Sequence, residues 1–107
     1  MIEVTYYRQY NRVTIKGHAL AAEPGHDLVC AGVSALAYTL AANVGQMEST
    51  NQVREVVARL DPGDAEISCK AKGKYGAIVE RIYQTVCVGF EILAVSHPRY
   101  ISYEIHH

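Results

Sequence analysis

The sequence predicts an α+β fold: a two-layer sandwich, ordered ββαββαβ, in which a mixed, mostly antiparallel sheet carries two helices. Three observations predict it. Five short stretches read as strands, alternating apolar with polar residues or rich in β-branched and aromatic types. Two longer stretches repeat apolar residues at helical spacing. Turn signals join most neighbouring strands as hairpins, and two helices laid on such a sheet make two layers. No linker, repeat or low-complexity segment interrupts the 107 residues, so residues 1–107 read as a single domain, long enough to bury a core without staples.

In chain order, IEVTYY (residues 2–7) alternates and reads as a strand. RVTIKGH (residues 12–18) follows a Tyr10-Asn11 turn and puts Val13 and Ile15 on one face. Gly17 breaks that alternation just before His18, so a bulge or strand end there re-aims the histidine. Residues 19–26 include Pro24 and Gly25, show no periodicity and read as a loop. Asp27 fits a helix N-cap, its carboxylate accepting from backbone N–H groups one turn in. Val29, Val33, Leu36, Leu40 and Val44 then recur at helical spacing, and Gly45 fits the stop. Alanine and glycine fill most of the remaining circumference, so this helix should be buried on more than one side. VREVVARL (residues 53–60) and AEISCKA (residues 65–71) are two further strands joined by the turn DPGD (residues 61–64). Ala65, Ile67, Cys69 and Ala71 share the core face of the second. A second helix is expected over residues 76–94, with Ile78, Ile82, Val86, Phe90 and Leu93 as its inner stripe and Cys87 beside it. Pro98 ends it, and YISYEI (residues 100–105) closes the chain as a strand.

The bulk composition excludes several function classes. Hydrophobic residues make up 50% of the chain, charged residues 20%, and the formal net charge is −1. The basic residues are scattered, which argues against a stripe that tracks phosphates, so no direct nucleic-acid partner is expected. The longest apolar run, residues 28–44, is interrupted by Ser34, Tyr38, Thr39 and Asn43 and reads as too short and too polar for a membrane span. Three widely spaced cysteines, Cys30, Cys69 and Cys87, with no CxxC and no signal peptide ahead of the first strand, predict a reduced, cytoplasmic protein. His106 and His107 are assigned no role.

The chemistry concentrates in KGHALAAEPGHDLVCAGVSAL, residues 16–36. With Asp27 as cap, Cys30 occupies the third helical position, where the partial positive charge of the helix start favours a thiolate. A histidine at the end of the preceding strand, His18, is placed to take its proton. Each residue also has a plain structural account: free cysteine is among the most buried residue types, and a strand-end histidine is commonly solvated. Asp27 starts the helix and could also orient His18 as the third member of a triad. Ser34, one turn beyond Cys30, could support the site or bond back to its own backbone. The loop residues Ala19, Leu20, Glu23, Pro24 and Gly25 offer a contact surface for an extended peptide and could close over it as a gate. A zinc site on His18, His26 and Cys30 remains open as an alternative, although the spacing matches no tight ligand pattern. A binding module without enzymatic activity, needing no reactive thiol, is the other.

GHA followed after a short loop by GxDxVCAxVSAL, here Gly17-His18-Ala19 and residues 25–36, resembles the signature of the ribosomal-processing cysteine proteases, the Prp family. The resemblance runs the length of the chain, from an MIxV opening strand to a short closing strand after His97-Pro98. One departure is Leu20, where members commonly carry glycine. The resemblance implies a Cys30–His18 dyad in a cysteine endopeptidase that needs neither metal nor organic cofactor. It implies as substrate the short, aromatic-rich N-terminal extension of a large-subunit ribosomal protein, and it implies a homodimer. The apolar circumference of the first helix, more than one sheet face can cover, also leads to an expected homodimer.

Overall fold

A computed structural model describes residues 1–17 and 26–107, with the side chain of His26 excluded. Five strands and two helices follow one another in the expected order. The strands are β1 (Ile2–Tyr7), β2 (Arg12–Lys16), β3 (Val53–Asp61), β4 (Asp64–Ala71) and β5 (Ile101–His106). The helices are α1 (His26–Ser49), between β2 and β3, and α2 (Gly76–Ser96), between β4 and β5. The strands form one sheet in the order β3-β4-β2-β1-β5. Its only parallel pairing is β1 with β5; the other three are antiparallel. Mixed and mostly antiparallel is therefore the observed sheet.

Alternation places Ile2, Val4 and Tyr6 of β1, Val13 and Ile15 of β2, and Ala65, Ile67 and Cys69 of β4 in the core, as read from the sequence. Short helical turns at Arg8–Tyr10 and Gly73–Tyr75 add to the expected elements. Asn11, at φ 45, completes the β1–β2 connection in the left-handed region that asparagine tolerates.

The first helix departs from expectation at both ends. It begins at His26, so Asp27 lies within the first turn instead of capping it, and Cys30 is the fifth helical residue rather than the third. Asp27 is an exposed acidic side chain near the positive helix end, which favours it there. At the other end the helix runs through Gly45 to Ser49. Met47 is buried and extends the apolar face, and Asn51 at φ 64 supplies the left-handed residue that stops the chain. The amide of Asn51 donates to Glu48 O at 3.0 Å and that of Gln52 to Met47 O at 2.8 Å, the paired bonds of a Schellman motif. The extension also corrects the membrane argument. Within Asp27–Ser49 an 18-residue stretch reaches a mean hydropathy of 1.6, which makes this 23-residue segment the one described helix long and apolar enough to cross a bilayer by length and composition. In the folded chain Val29, Val33, Leu40, Val44 and Met47 are buried in the common core.

The inner stripe of α2 is also rotated from the one expected. Val79, Tyr83, Val86, Cys87 and Phe90 are buried, whereas Ile78 is 53% exposed. Ile82 and Leu93 are partly buried against the core. Tyr83 decides the rotation, because a buried tyrosine gains from a partner for its hydroxyl. It donates to Ile67 O on β4 at 3.1 Å, and its ring stacks on Tyr6 of β1 with centroids 6.1 Å apart. The helices then meet through small residues: a Cβ on Gly89 would crowd Leu36 Cδ2 at 2.7 Å, and one on Gly32 would press Leu93 Cδ1 at 3.1 Å.

Gly17 ends β2, as the sequence suggests. Its φ is +87, and an added Cβ would enter the van der Waals shell of the Met1 carbonyl oxygen, which is backbone and cannot step aside. Its amide donates to Gly63 O at 3.0 Å. Gly17→Ala should therefore destabilise the protein by about 1–3 kcal/mol from the backbone conformation alone. Thermal unfolding followed by circular dichroism should show a midpoint lower by roughly 5 °C or more; an unchanged midpoint would show that the strand end relaxes freely.

Candidate active site

A cleft of about 330 Å³ opens between the first half of α1 and the tip of the β3–β4 hairpin. Successive turns of α1 supply one wall: Cys30, Ser34 and Tyr38, with Val33 and Ala37 behind them. These fall four residues apart, the spacing that stacks side chains on one helix face. The sheet supplies the floor through Ile2, Ile15 and Ala65, and the hairpin tip, residues 61–64, forms the opposite wall with Leu60. Gly17 stands at the end of the floor.

The turn holds its place for local reasons. Pro62 presets its own φ, and Gly63, at φ +70, takes the left-handed conformation the tight connection needs. The Asp61–Asp64 pair closes the ladder around it. Asp64 is then gripped by two cations: Lys16 Nζ, and Arg59 Nη1 at 2.7 Å. The bonds from Lys16 first, then Arg59, hold its carboxyl below the usual carboxylate range. The rim of the cleft is thus acidic side chains already neutralised, over an apolar floor.

Of the three cysteines, none is disulfide-bonded, and Cys30 alone lines this cleft; it is half-buried. Cys69 and Cys87 lie in the core. Burial pushes the Cys69 thiol up, against a smaller opposing effect of the Tyr83 hydroxyl, and pushes Cys87 up to about 12.

The structure thus brings together three of the residues singled out from the sequence: Gly17, Cys30 and Ser34, with Ser34 exposed on the cleft wall. Asp27 is not part of the lining. His18 and the loop residues Ala19, Leu20, Glu23, Pro24 and Gly25 lie outside the described residues, as does the side chain of His26. The zinc alternative rests on those histidines. Among the described residues no three of His, Cys, Asp and Glu are grouped to hold a metal ion. Sequence reasoning missed Tyr38, Leu60 and residues 61–64 as cleft residues. Tyr38 carried a signal, its place eight residues after Cys30 on the same helix face. The hairpin tip carried a turn signal and none for its neighbourhood.

The profile of the family described as cysteine protease Prp matches residues 1–102. No curated protein matches the chain. Among solved structures, SMU.848 from Streptococcus mutans superposes with a TM-score of 0.71 at 24% identity, covering 98% of this chain and 93% of that one. The essential ribosomal processing protease Prp from Staphylococcus aureus, in complex with a covalently linked product peptide, gives 0.73 at 22% identity, covering 99% and 100%. The same protease with a substrate peptide gives 0.70 at 21% identity, covering 98% and 97%. These likenesses extend over nearly the whole of each chain and carry the fold. The profile match over residues 1–102 makes the chain a member of the cysteine protease Prp family.

Proposed function

We propose that this protein is a cytoplasmic ribosomal-processing endopeptidase, which removes the N-terminal extension of a large-subunit ribosomal protein with Cys30 as nucleophile and His18 as its base. The observation that carries this reading is the cleft. Cys30 is the one cysteine lining it, and Gly17, bonded in sequence to His18, lines the same cleft. Family membership supplies the reaction class, and the relative from Staphylococcus aureus is described as a ribosomal processing protease with bound peptides.

The chemistry follows from those groups. His18 takes the proton of the Cys30 thiol, and the thiolate attacks the carbonyl carbon of the scissile peptide bond. Backbone N–H groups at the start of α1 are the natural donors to the resulting oxyanion. The C–N bond breaks as His18 returns the proton to the departing amine, leaving a thioester that water hydrolyses. As the fifth residue of α1, Cys30 lies just past the first turn, where the helix charge fades. Activation of the thiol therefore falls mainly to His18. No metal or organic cofactor enters this scheme.

The exposed apolar side chains of the helical layer support a homodimer. Leu28 and Tyr38 on α1, and Val88, Ile92 and Val95 on α2, all lie outside the core. Val88, Ile92 and Val95 recur at four- and three-residue spacing, which makes a continuous stripe along α2. Such a stripe is covered when two copies meet.

Three measurements test these statements. Limited alkylation with iodoacetamide at pH 8, followed by peptide mapping, should label Cys30 well before Cys69 and Cys87, whose buried thiols stay protonated there; preferential labelling of either buried cysteine would remove Cys30 from the role. Cys30→Ser and His18→Ala should each abolish cleavage of a peptide spanning the extension junction while moving the thermal midpoint by only a few degrees. Either variant retaining cleavage would sink the dyad. Light scattering should give twice the 11.8 kDa chain mass at micromolar concentration, and a stable monomer would exclude the dimer.

A further inference from the structure

We propose that the outer edge of β3, from Val57 to Asp61, binds the main chain of an extended peptide as an added strand and leads it into the cleft beside Cys30. The inference rests on the protease reading above and adds how the substrate backbone is held.

The hydrogen-bonding parity of the sheet identifies the groups involved. Among the described strands β3 stands at the edge of the sheet, with β4 on one side and no described strand on the other. The Cys69 amide donates to Asn11 O, at the β2 side of β4. In an antiparallel ladder successive residues bond to opposite sides. Ala65, Ile67 and Cys69 therefore bond toward β2, and Asp64, Glu66 and Ser68 toward β3. The partners of those three on β3 are Asp61, Arg59 and Val57. The backbone N–H and C=O groups of Ala58 and Leu60, lying between them, point away from the sheet.

This part of the edge lacks the usual protection. Folded proteins blunt open strands with proline, lysine or a bulge. Here a bulge between Arg54 and Val57, with Glu55 at φ 52, spoils only the far half of β3. The segment VARLD contains neither proline nor lysine, and the Arg59 side chain is turned to Asp64 at 2.7 Å. Five regular residues remain, an edge about 17 Å long.

Its position selects the occupant. Leu60 and Asp61 line the cleft together with Cys30, so the open edge begins at the cleft and ends at the bulge. A strand laid along it runs directly into the site, which fits an extended peptide in transit to the nucleophile. Pairing through main-chain groups accepts many side chains, leaving selection to the cleft walls.

Two experiments test the proposal with one synthetic peptide spanning the N-terminal extension of the host's large-subunit ribosomal protein. In the first, amide hydrogen exchange is measured by NMR on the Cys30→Ala protein. Saturating peptide should slow exchange at Ala58 and Leu60 by about tenfold or more, one hydrogen bond each, while Arg59, already in the ladder, is unchanged. Equal slowing at all three would mean simple coverage, and no slowing would mean no contact; either overturns the added strand. Protection at Ala58 and Leu60 that rises with protein concentration in the absence of peptide assigns the edge to a second copy and overturns it too. In the second, the wild-type protein is given the peptide N-methylated at one main-chain nitrogen at a time. KM should rise by about tenfold at every second position and stay level between them. Cleavage of the unmodified peptide with a flat N-methylation profile defeats the edge alone. Absence of cleavage defeats the protease reading and the edge with it.

Discussion

A single backbone hydrogen bond, from the Gly17 amide to the Gly63 carbonyl, joins the end of β2 to the tip of the β3–β4 hairpin. The cleft depends on it, because one partner ends the floor and the other stands in the opposite wall. The bond forms only because Gly17 can take a positive φ and can pass close to the Met1 carbonyl. The ion pairs from Lys16 and Arg59 to Asp64 reinforce the same junction from outside. Exposed pairs of this kind contribute little stability by themselves. Backbone geometry carries the junction, and the charges trim it.

The other wall is set from the core outward. The Tyr83 hydroxyl, satisfied by Ile67 O, fixes the rotation of α2 over the sheet. The rotation presents Gly89 and Leu93 to Leu36 and Gly32, and their close approach positions α1. Cys30, Ser34 and Tyr38 ride on that helix. A polar group buried in the sheet–helix interface thus determines, through two packing contacts, where the thiol stands.

Much of this was legible in the residues. Strand alternation is a local property, and it marked the strands other than β3 and the core face that holds Cys69; β3 was marked by its valines and the turn that follows it. Gly17 and Cys30 were legible because their local positions, a broken strand and a helix start, stand out without tertiary information. The stripe of α2 was not. Ile78, Val79, Ile82, Tyr83, Val86 and Phe90 offer more than one apolar face, and the choice between them depends on a hydroxyl finding a carbonyl on another element. The end of α1 was misread because Gly45 resembles a stop, whereas Met47 still had core to fill and Asn51 could turn the chain instead. Tyr38 and residues 61–64 belong to the cleft only through packing of elements distant in sequence, and no local pattern encodes that.

The parallel pairing of β1 with β5 has a consequence for the order of events in synthesis. Ile2 lies in the cleft floor, its amide donates to Tyr100 O at 2.8 Å, and its strand is flanked by Ile101 and the residues after it. The first strand pairs with β2 on one side at once and waits for the last strand on the other. A nascent chain exposes its nucleophile early, and elongation from there to β5 takes on the order of ten seconds at ordinary translation rates. Through that interval the floor beneath the thiol is held on one side of β1 and open on the other. Closing a contact between the two ends of the chain is also the slow part of folding. A product truncated before β5 therefore carries the reactive residue and every cleft-lining residue, and lacks only the strand that holds Ile2 from its far side.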